Sequence, residues 1–253
     1  MKNKPSISII VPCLNEEGNI NGTIESIKQA LATADRDGGN TPNGGNTPFG
    51  DFEILIFNDG STDNTGKTAE EICRREKNVR VIHNPKNMGF GYNYTEGVRL
   101  ASKDYTIMVP GDNEIPAEAI TKIFSRVGTA DIVIPYTANT TVRTPFRRVV
   151  SRAFVALINA LFGLNLIYYN GTCVIKSSLL KKVPLKTYGF AYMAAILVRL
   201  IRSGASYVEV GVDIKPRATG ASKAFALKNI VSVAKAILTL FWDVRIKDRG
   251  RYI

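Results

Sequence analysis

Histidine is almost absent from this chain: His83 is the only one in 253 residues. Chemistry that rests on several imidazoles, as a proton relay or as a zinc ligand set, is therefore excluded. Cysteine is scarce as well. Cys13, Cys73 and Cys173 show no paired spacing, which excludes a disulfide framework and fits a reducing compartment. No apolar run reaches the roughly 18–20 clean residues that a membrane-spanning helix needs. The opening Met1-Lys2-Asn3-Lys4-Pro5 leads straight into a strand-like run, so no signal peptide is expected. Helix-turn-helix, zinc-finger and RNA-binding patterns are missing too, which argues against nucleic acid as a partner.

The most informative absence is of one sign of charge. From Ile132 to Val208 there is no Asp or Glu, whereas Arg143, Arg147, Arg148, Arg152, Lys176, Lys181, Lys182, Lys186, Arg199 and Arg202 are all cationic. Within a net charge of +11 this is a marked asymmetry. It describes either a solvated basic surface or a face built for anions such as phosphates and acidic lipid headgroups.

What is present is an ordinary globular composition, 45% hydrophobic and 22% charged, long enough for one large domain with a small appendage. The first half alternates short apolar runs with helical periodicity. Strands are expected at Ile7–Val11, Phe52–Phe57, Val79–Ile82, Tyr105–Val109 and Asp131–Pro135. Helices are expected around Ile20–Leu31, up to Arg75, over Gly91–Ser102 and from Pro116 to Val127. Such alternation predicts an α/β fold with a mostly parallel sheet, whose ligands bind at the carboxyl ends of the strands. Asn15-Glu16-Glu17, Asn58-Asp59 and Asp112 all fall at such ends. Between Ala34 and Gly50 a tandem Gly-Gly-Asn-Thr-Pro repeat offers almost nothing to bury and is expected to be a disordered insertion.

Two longer apolar stretches follow. Phe146–Leu166 is interrupted by arginines, and Lys223–Trp242 by Lys228 and Lys235, with Arg245, Lys247, Arg249 and Arg251 beyond it. Both are amphipathic with basic flanks, as in a core-facing helix or a helix lying on a membrane surface.

Four motifs in order carry a resemblance: Val11-Pro12-Cys13-Leu14-Asn15-Glu16-Glu17, Asn58-Asp59-Gly60-Ser61, Asn87-Met88-Gly89 and Arg217-Ala218-Thr219-Gly220-Ala221-Ser222-Lys223. Together, over about residues 6 to 225, they resemble the family 2 glycosyltransferases, and the last resembles the branch of dolichyl-phosphate mannose synthase and polyprenyl-phosphate sugar transferases. The resemblance implies a GT-A (Rossmann-like) domain over 1–225, followed by an amphipathic basic helix and tail over 226–253. It also implies a nucleotide-sugar donor, Mg²⁺ or Mn²⁺, and inversion at the anomeric carbon.

Carried onto this chain, the family pattern places Pro12, Asn15, Glu16, Glu17, Asp59 and Gly89 around the donor, with Asp59 accepting from a ring N–H of the base. Glu16 and Glu17 can equally be acids favoured by a helix N-terminus. Asp63 is expected to cap the following helix. Asp112 aligns with the last carboxylate of the family's Asp-x-Asp motif, with Pro110 where the first would stand and Glu114 as a second oxygen donor. A hard cation often needs only one or two protein carboxylates beside phosphate oxygens. Arg217 and Lys223 are placed to close over the same diphosphate, so Asp112 and Arg217 are the candidate catalytic pair.

Many relatives carry a Glu where this chain has Ala195, and the acid-free half offers no other base. An acceptor that is already an anion needs none. Arg143, Arg147, Arg148 and Arg152 are the candidates to hold such an acceptor, a polyprenyl phosphate at an anionic membrane surface. The expected location is cytoplasmic and peripheral. Two alternatives stand beside this: a hydroxyl acceptor with Glu114 or Asp213 as base, and a non-catalytic module that binds nucleotide sugar or docks on membrane.

Overall fold

The structure is a computed structural model that describes residues 4–33, 49–185, 189, 191–215 and 227–247. The Gly-Gly-Asn-Thr-Pro repeat, Arg217 and Lys223 lie outside the described residues.

Seven strands form one sheet in the order β3-β2-β1-β4-β6-β5-β7. They are β1 (Ser6–Cys13), β2 (Asp51–Asn58), β3 (Val79–His83), β4 (Tyr105–Met108), β5 (Ile132–Thr137), β6 (Val174–Lys176) and β7 (Tyr207–Val212). All pairings are parallel except those of β6, which runs antiparallel to both β4 and β5. Strands β1 and β2 are unbroken apolar runs over most of their length because helices cover both faces of the sheet.

The strand period of two divides the core. Ile7, Ile9, Val11, Ile54 and Ile56 face α1 (Ile20–Thr33), α2 (Thr65–Arg75) and α4 (Ala117–Phe124). Ile10, Leu55 and Phe57 face the cluster built by α3 (Phe90–Leu100), α5 (Pro145–Phe162), α7 (Tyr192–Arg202) and α8 (Leu227–Phe241). Helix α1 presents Ile20, Ile24, Ile27 and Leu31 inward, as its spacing predicts. The short helix α6 (Ser177–Leu180) follows β6 directly. The α/β architecture expected from the alternation is present, and β6 adds one reversed strand to it.

One carboxylate pins the starts of β5 and β7 and the end of the antiparallel β6. Asp131 accepts from Lys176 Nζ at 2.7 Å, and from Ser206 Oγ at 2.7 Å and Ser206 N at 2.9 Å. The Lys176 and Ser206 bonds hold its carboxyl down at about 2. A carboxyl depressed by folding stabilises above its unfolded value of about 3.9, and that stabilisation is lost as pH falls toward 2. Asp131→Asn is expected to cost about 1–2 kcal/mol at pH 6, after allowance for the half-exposed lysine, and only a small part of that near pH 2. Urea unfolding at both pH values checks this; a difference that does not change with pH would refute it.

The C-terminal segment is amphipathic in a specific way. Ile237 and Leu240 on α8 and Val244 in the π-helical turn Trp242–Lys247 are buried in the same cluster as α5 and α7. Val231, Leu238, Trp242 and Ile246 point outward. Arg199 on α7, only 4% exposed, donates to Asp243 at 3.0 Å, and Arg245 donates to the Leu161 carbonyl at 3.1 Å. Helix α5 is similar. Ile158 and Phe162 are buried, while Phe146, Val149, Val150 and Leu157 are exposed at helical spacing. Among the described residues no helix is long and apolar enough to cross a membrane.

Candidate functional site

Because β1, β2 and β4 run in parallel and are neighbours, their carboxyl ends open on one edge of the sheet. The chain order reverses direction at β1, with β2 on one side and β4 on the other, and a crevice forms at such a switch. Every acidic residue singled out in the first half lies along this edge.

Backbone bonds draw the three loops together. Asp59 N donates to Cys13 O at 2.8 Å, and Gly111 N donates to Pro12 O at 3.0 Å. Asn15 takes the left-handed region at φ 58°, which asparagine tolerates, and its Oδ1 accepts from Thr62 N at 2.9 Å. Glu17 and Asp63 form a reciprocal clasp: Glu17 N donates to Asp63, and Asn64 N donates to Glu17. Asp63 also accepts from the backbone and hydroxyl of Thr65 at the start of α2, but the N-cap position itself is Asn64, which makes no side-chain cap bond, so Asp63 supports the helix start from one residue before the cap. Glu16 accepts from Asn19 Nδ2, at the approach to α1.

Asp59 is 4% exposed, and its carboxylate is occupied from within. It accepts from Met88 N at 2.8 Å, Gly89 N at 2.9 Å and Asn84 Nδ2 at 2.8 Å. Its visible work is to fold the 84–89 turn onto the end of β2. Gly60, at φ 72°, lets the backbone of Lys86 and Asn87 pass where a side chain would collide. Asn58, beside it, bonds His83 Nδ1 at 3.0 Å and accepts from Ser61 N at 3.2 Å.

The Asp112 turn is shaped just as closely. A Cβ on Gly111 would overlap Cys13 Sγ, so only glycine allows the turn to sit on β1. Asn113, at φ 54°, receives Ser26 Oγ on its Oδ1, and its N donates to Thr23 Oγ1, which docks the turn on α1. Asp112 accepts from Glu114 N at 3.2 Å. Burial pushes the Cys13 thiol up, and Glu16, Asp112 and Asp63 push it further, so three carboxylates surround the end of β1 and the thiol stays protonated. Among the described residues no group of three His, Cys, Asp or Glu side chains could cage a metal. The carboxylates fit the other mode, in which one or two hold a hard cation and phosphate oxygens complete its shell.

Arg217 and Lys223 cannot be placed, but the approach to them can. Asn139 clamps Ile214 through both its amide atoms, and Lys215 N donates to Glu114 O at 3.0 Å. The chain is thus delivered to the Asp112 turn two residues before Arg217.

On the other side of that strand exit lies Arg143. Its Nη1 donates to Tyr168 Oη at 3.1 Å and its Nη2 to Thr137 Oγ1 at 2.9 Å, and its guanidinium stands 5.3 Å from the Tyr168 ring centre. Its Nε is buried and makes no bond to any described residue. The cation is therefore held by neutral groups. Arg147, Arg148 and Arg152 follow on α5, with Arg147 and Arg148 half-buried and Arg152 exposed.

Ala195 is buried on α7 and lines a small cavity with Tyr94, Tyr192 and Arg199. Sequence reasoning also passed over Tyr168, Thr137, Asn139 and Asn113, whose roles depend on contacts between distant segments.

A mostly parallel sheet of this order, flanked by helices and with an acidic crevice at its switch point, is an α/β fold of the GT-A kind. The family model "Glycosyl transferase family 2" matches residues 8–187, and the chain belongs to that family. It is 24% identical over 253 residues to an undecaprenyl-phosphate mannosyltransferase of Micrococcus luteus, covering 92% of this chain and 95% of the relative. The glycosyltransferase EpsJ of Bacillus subtilis is 32% identical over 112 residues, but this covers only 44% of this chain and 27% of that protein. Among solved structures, glucosyl-3-phosphoglycerate synthase of Mycobacterium tuberculosis, in complex with Mn²⁺, UDP and its product, matches with a TM-score of 0.64 at 18% identity. That match covers 94% of this chain and 79% of the other.

Proposed function

We propose that this protein transfers a sugar, with inversion, from a nucleotide-sugar donor to a polyprenyl phosphate. The observation that carries this reading is Arg143: a half-buried cation supported only by neutral oxygens, in an acid-free half of the chain, one strand exit from the Asp112 turn. A half-buried cation whose hydrogen bonds to described residues go only to neutral oxygens lacks a counter-charge there, so an anionic ligand is its natural complement.

Pro12, Asn15, Glu16, Glu17, Asp59 and Gly89 shape the donor side, with Asp59 acting through the 84–89 turn. Asp112, with Glu114 as second donor, would hold Mg²⁺ or Mn²⁺, which supplies charge neutralisation to the departing diphosphate. Arg217 and Lys223 would add positive charge from the segment that follows Lys215. An oxygen of the acceptor phosphate forms the new bond to the anomeric carbon as the bond to the donor diphosphate breaks. The nucleoside diphosphate leaves with the electron pair, and no general base is needed because the nucleophile is already ionised. The exposed apolar faces of α5 and α8, flanked by Arg148, Arg152 and Lys247, suit a peripheral site on an anionic membrane.

A second reading has a hydroxyl acceptor that itself carries a phosphate. The mycobacterial structural neighbour is solved with phosphoglyceric acid, and Arg143 would suit such an anion equally. Parallel assays separate the two. Transfer to undecaprenyl phosphate is expected, with Arg143→Gln raising the acceptor KM by about tenfold or more. Transfer to a soluble hydroxyl acceptor with none to any polyprenyl phosphate would overturn the first reading.

A further inference from the structure

Arg143 depends on the segment that carries Tyr168, and that segment is held from two sides. From α5, the Asn159 side chain bonds both the N and the O of Leu166, at 3.1 and 3.0 Å, and receives Tyr169 Oη at 2.6 Å. From β7, the Glu209 carboxylate accepts from Ile167 N at 2.7 Å and from Tyr168 N. Glu209 is half-buried, and it is the first acid after the acid-free stretch.

We infer that Glu209 is a positioning residue for the acceptor anion, acting on Arg143 through the backbone of Ile167 and Tyr168. The inference rests on the reading that Arg143 receives the acceptor phosphate. The placement of the carboxylate is what argues for it. An acid bonded directly to Arg143 would neutralise the guanidinium and compete with an incoming anion. Glu209 instead takes backbone N–H groups behind the loop. It fixes the Tyr168 ring and hydroxyl, leaving Arg143 with bonds to neutral oxygens alone and its Nε unpartnered among the described residues. The loop gains rigidity from a charge-assisted bond while the guanidinium keeps its full charge. Burial pushes the Glu209 carboxyl up, which the two backbone donors partly offset. Tyr169 and Cys173 both sense its charge.

The test uses the full chain and farnesyl phosphate, a short soluble polyprenyl phosphate, with steady-state kinetics on undecaprenyl phosphate alongside. Outer partners that orient metal ligands are worth about 10–100-fold in affinity, and the low end of that range is expected for an outer partner of Arg143. Glu209→Leu is therefore expected to weaken farnesyl phosphate binding by about tenfold and to raise the acceptor KM similarly, with kcat and donor KM within about twofold. Glu209→Gln, which keeps one acceptor oxygen for the loop, is expected to recover most of that loss. Tyr168→Phe should give a similar acceptor effect, and combining it with Glu209→Leu should add little. Three outcomes bear against the inference. If binding is abolished by Arg143→Gln but untouched by Glu209→Leu, Glu209 has no such role and the acceptor reading stands. If kcat and both KM values fall or rise together in Glu209→Leu without rescue by Gln, the residue only supports the fold. If the wild-type protein binds no farnesyl phosphate and uses no polyprenyl phosphate, the acceptor reading fails and this inference falls with it.

Discussion

Asp112→Ala is expected to lower sugar transfer by about 10²–10³-fold, the largest effect of any single substitution on activity. The carboxylate accepts from Glu114 N at 3.2 Å within its turn, but the turn's anchors to β1 and α1 are other groups. Gly111 seats the turn on Pro12, and Asn113 anchors it to Thr23 and Ser26. The variant should therefore fold normally, and thermal unfolding without ligand should move little. The loss should lie in kcat and in the response to metal, with half-saturation by Mn²⁺ shifted upward in Asp112→Asn. Glu114→Gln should do the same more mildly, because a hard cation accepts water in place of one carboxylate. Full activity of Asp112→Ala over a Mn²⁺ series would remove this turn from the chemistry. It would favour a module that binds nucleotide sugar without transferring it.

The largest expected effect on stability lies far from that turn. Asp243→Ala leaves the Arg199 guanidinium, whose side chain is 5% exposed, without its carboxylate. Its Nη1 keeps only a long bond to Ala195 O, and its Nε has no bond to any described residue. Breaking a buried pair in this way costs about 3–5 kcal/mol, whereas replacing both partners by apolar groups costs much less. Asp243→Ala should therefore be strongly destabilised in urea unfolding, and Arg199→Met with Asp243→Leu should recover much of the loss. An equal loss in single and double variants would show that packing of the C-terminal turn, and not the stranded charge, sets the cost.

Much of this architecture is legible in the sequence because it depends on local periodicity. The runs at Ile7–Val11 and Phe52–Phe57 could only be buried strands, and Ile20, Ile24, Ile27 and Leu31 could only line one face of a helix. Acids at the ends of successive parallel strands had to converge, which made the crevice foreseeable. Other features were not foreseeable. Strand β6 is three residues long and is set by its neighbours β4 and β5. Asp59 reads from the sequence as an acceptor for a base N–H, and the three internal donors it also receives, Asn84 Nδ2 and the peptide N–H groups of Met88 and Gly89, have no signal in the sequence. Ala195, where the sequence lacks a base, is buried in the core beside Arg199, a setting the sequence does not reveal. Each of these depends on contacts between segments far apart in the chain, which periodicity does not encode.

The two carbonyls at the end of β1 have a consequence for how such a protein can change. Successive peptide carbonyls along a strand point to opposite sides, so Pro12 O meets the Asp112 turn while Cys13 O meets Asp59 N. One peptide unit, about 3.8 Å between α-carbons, therefore acts as the ruler that separates the two arms of the donor site. A single residue inserted or deleted within β1 would exchange the partners of both carbonyls and dismantle both arms together. Changes of length are tolerable only beyond that unit, as in the repeat between α1 and β2. A variant library with one-residue insertions along the chain should find β1 intolerant from Ile9 to Cys13 and that repeat permissive.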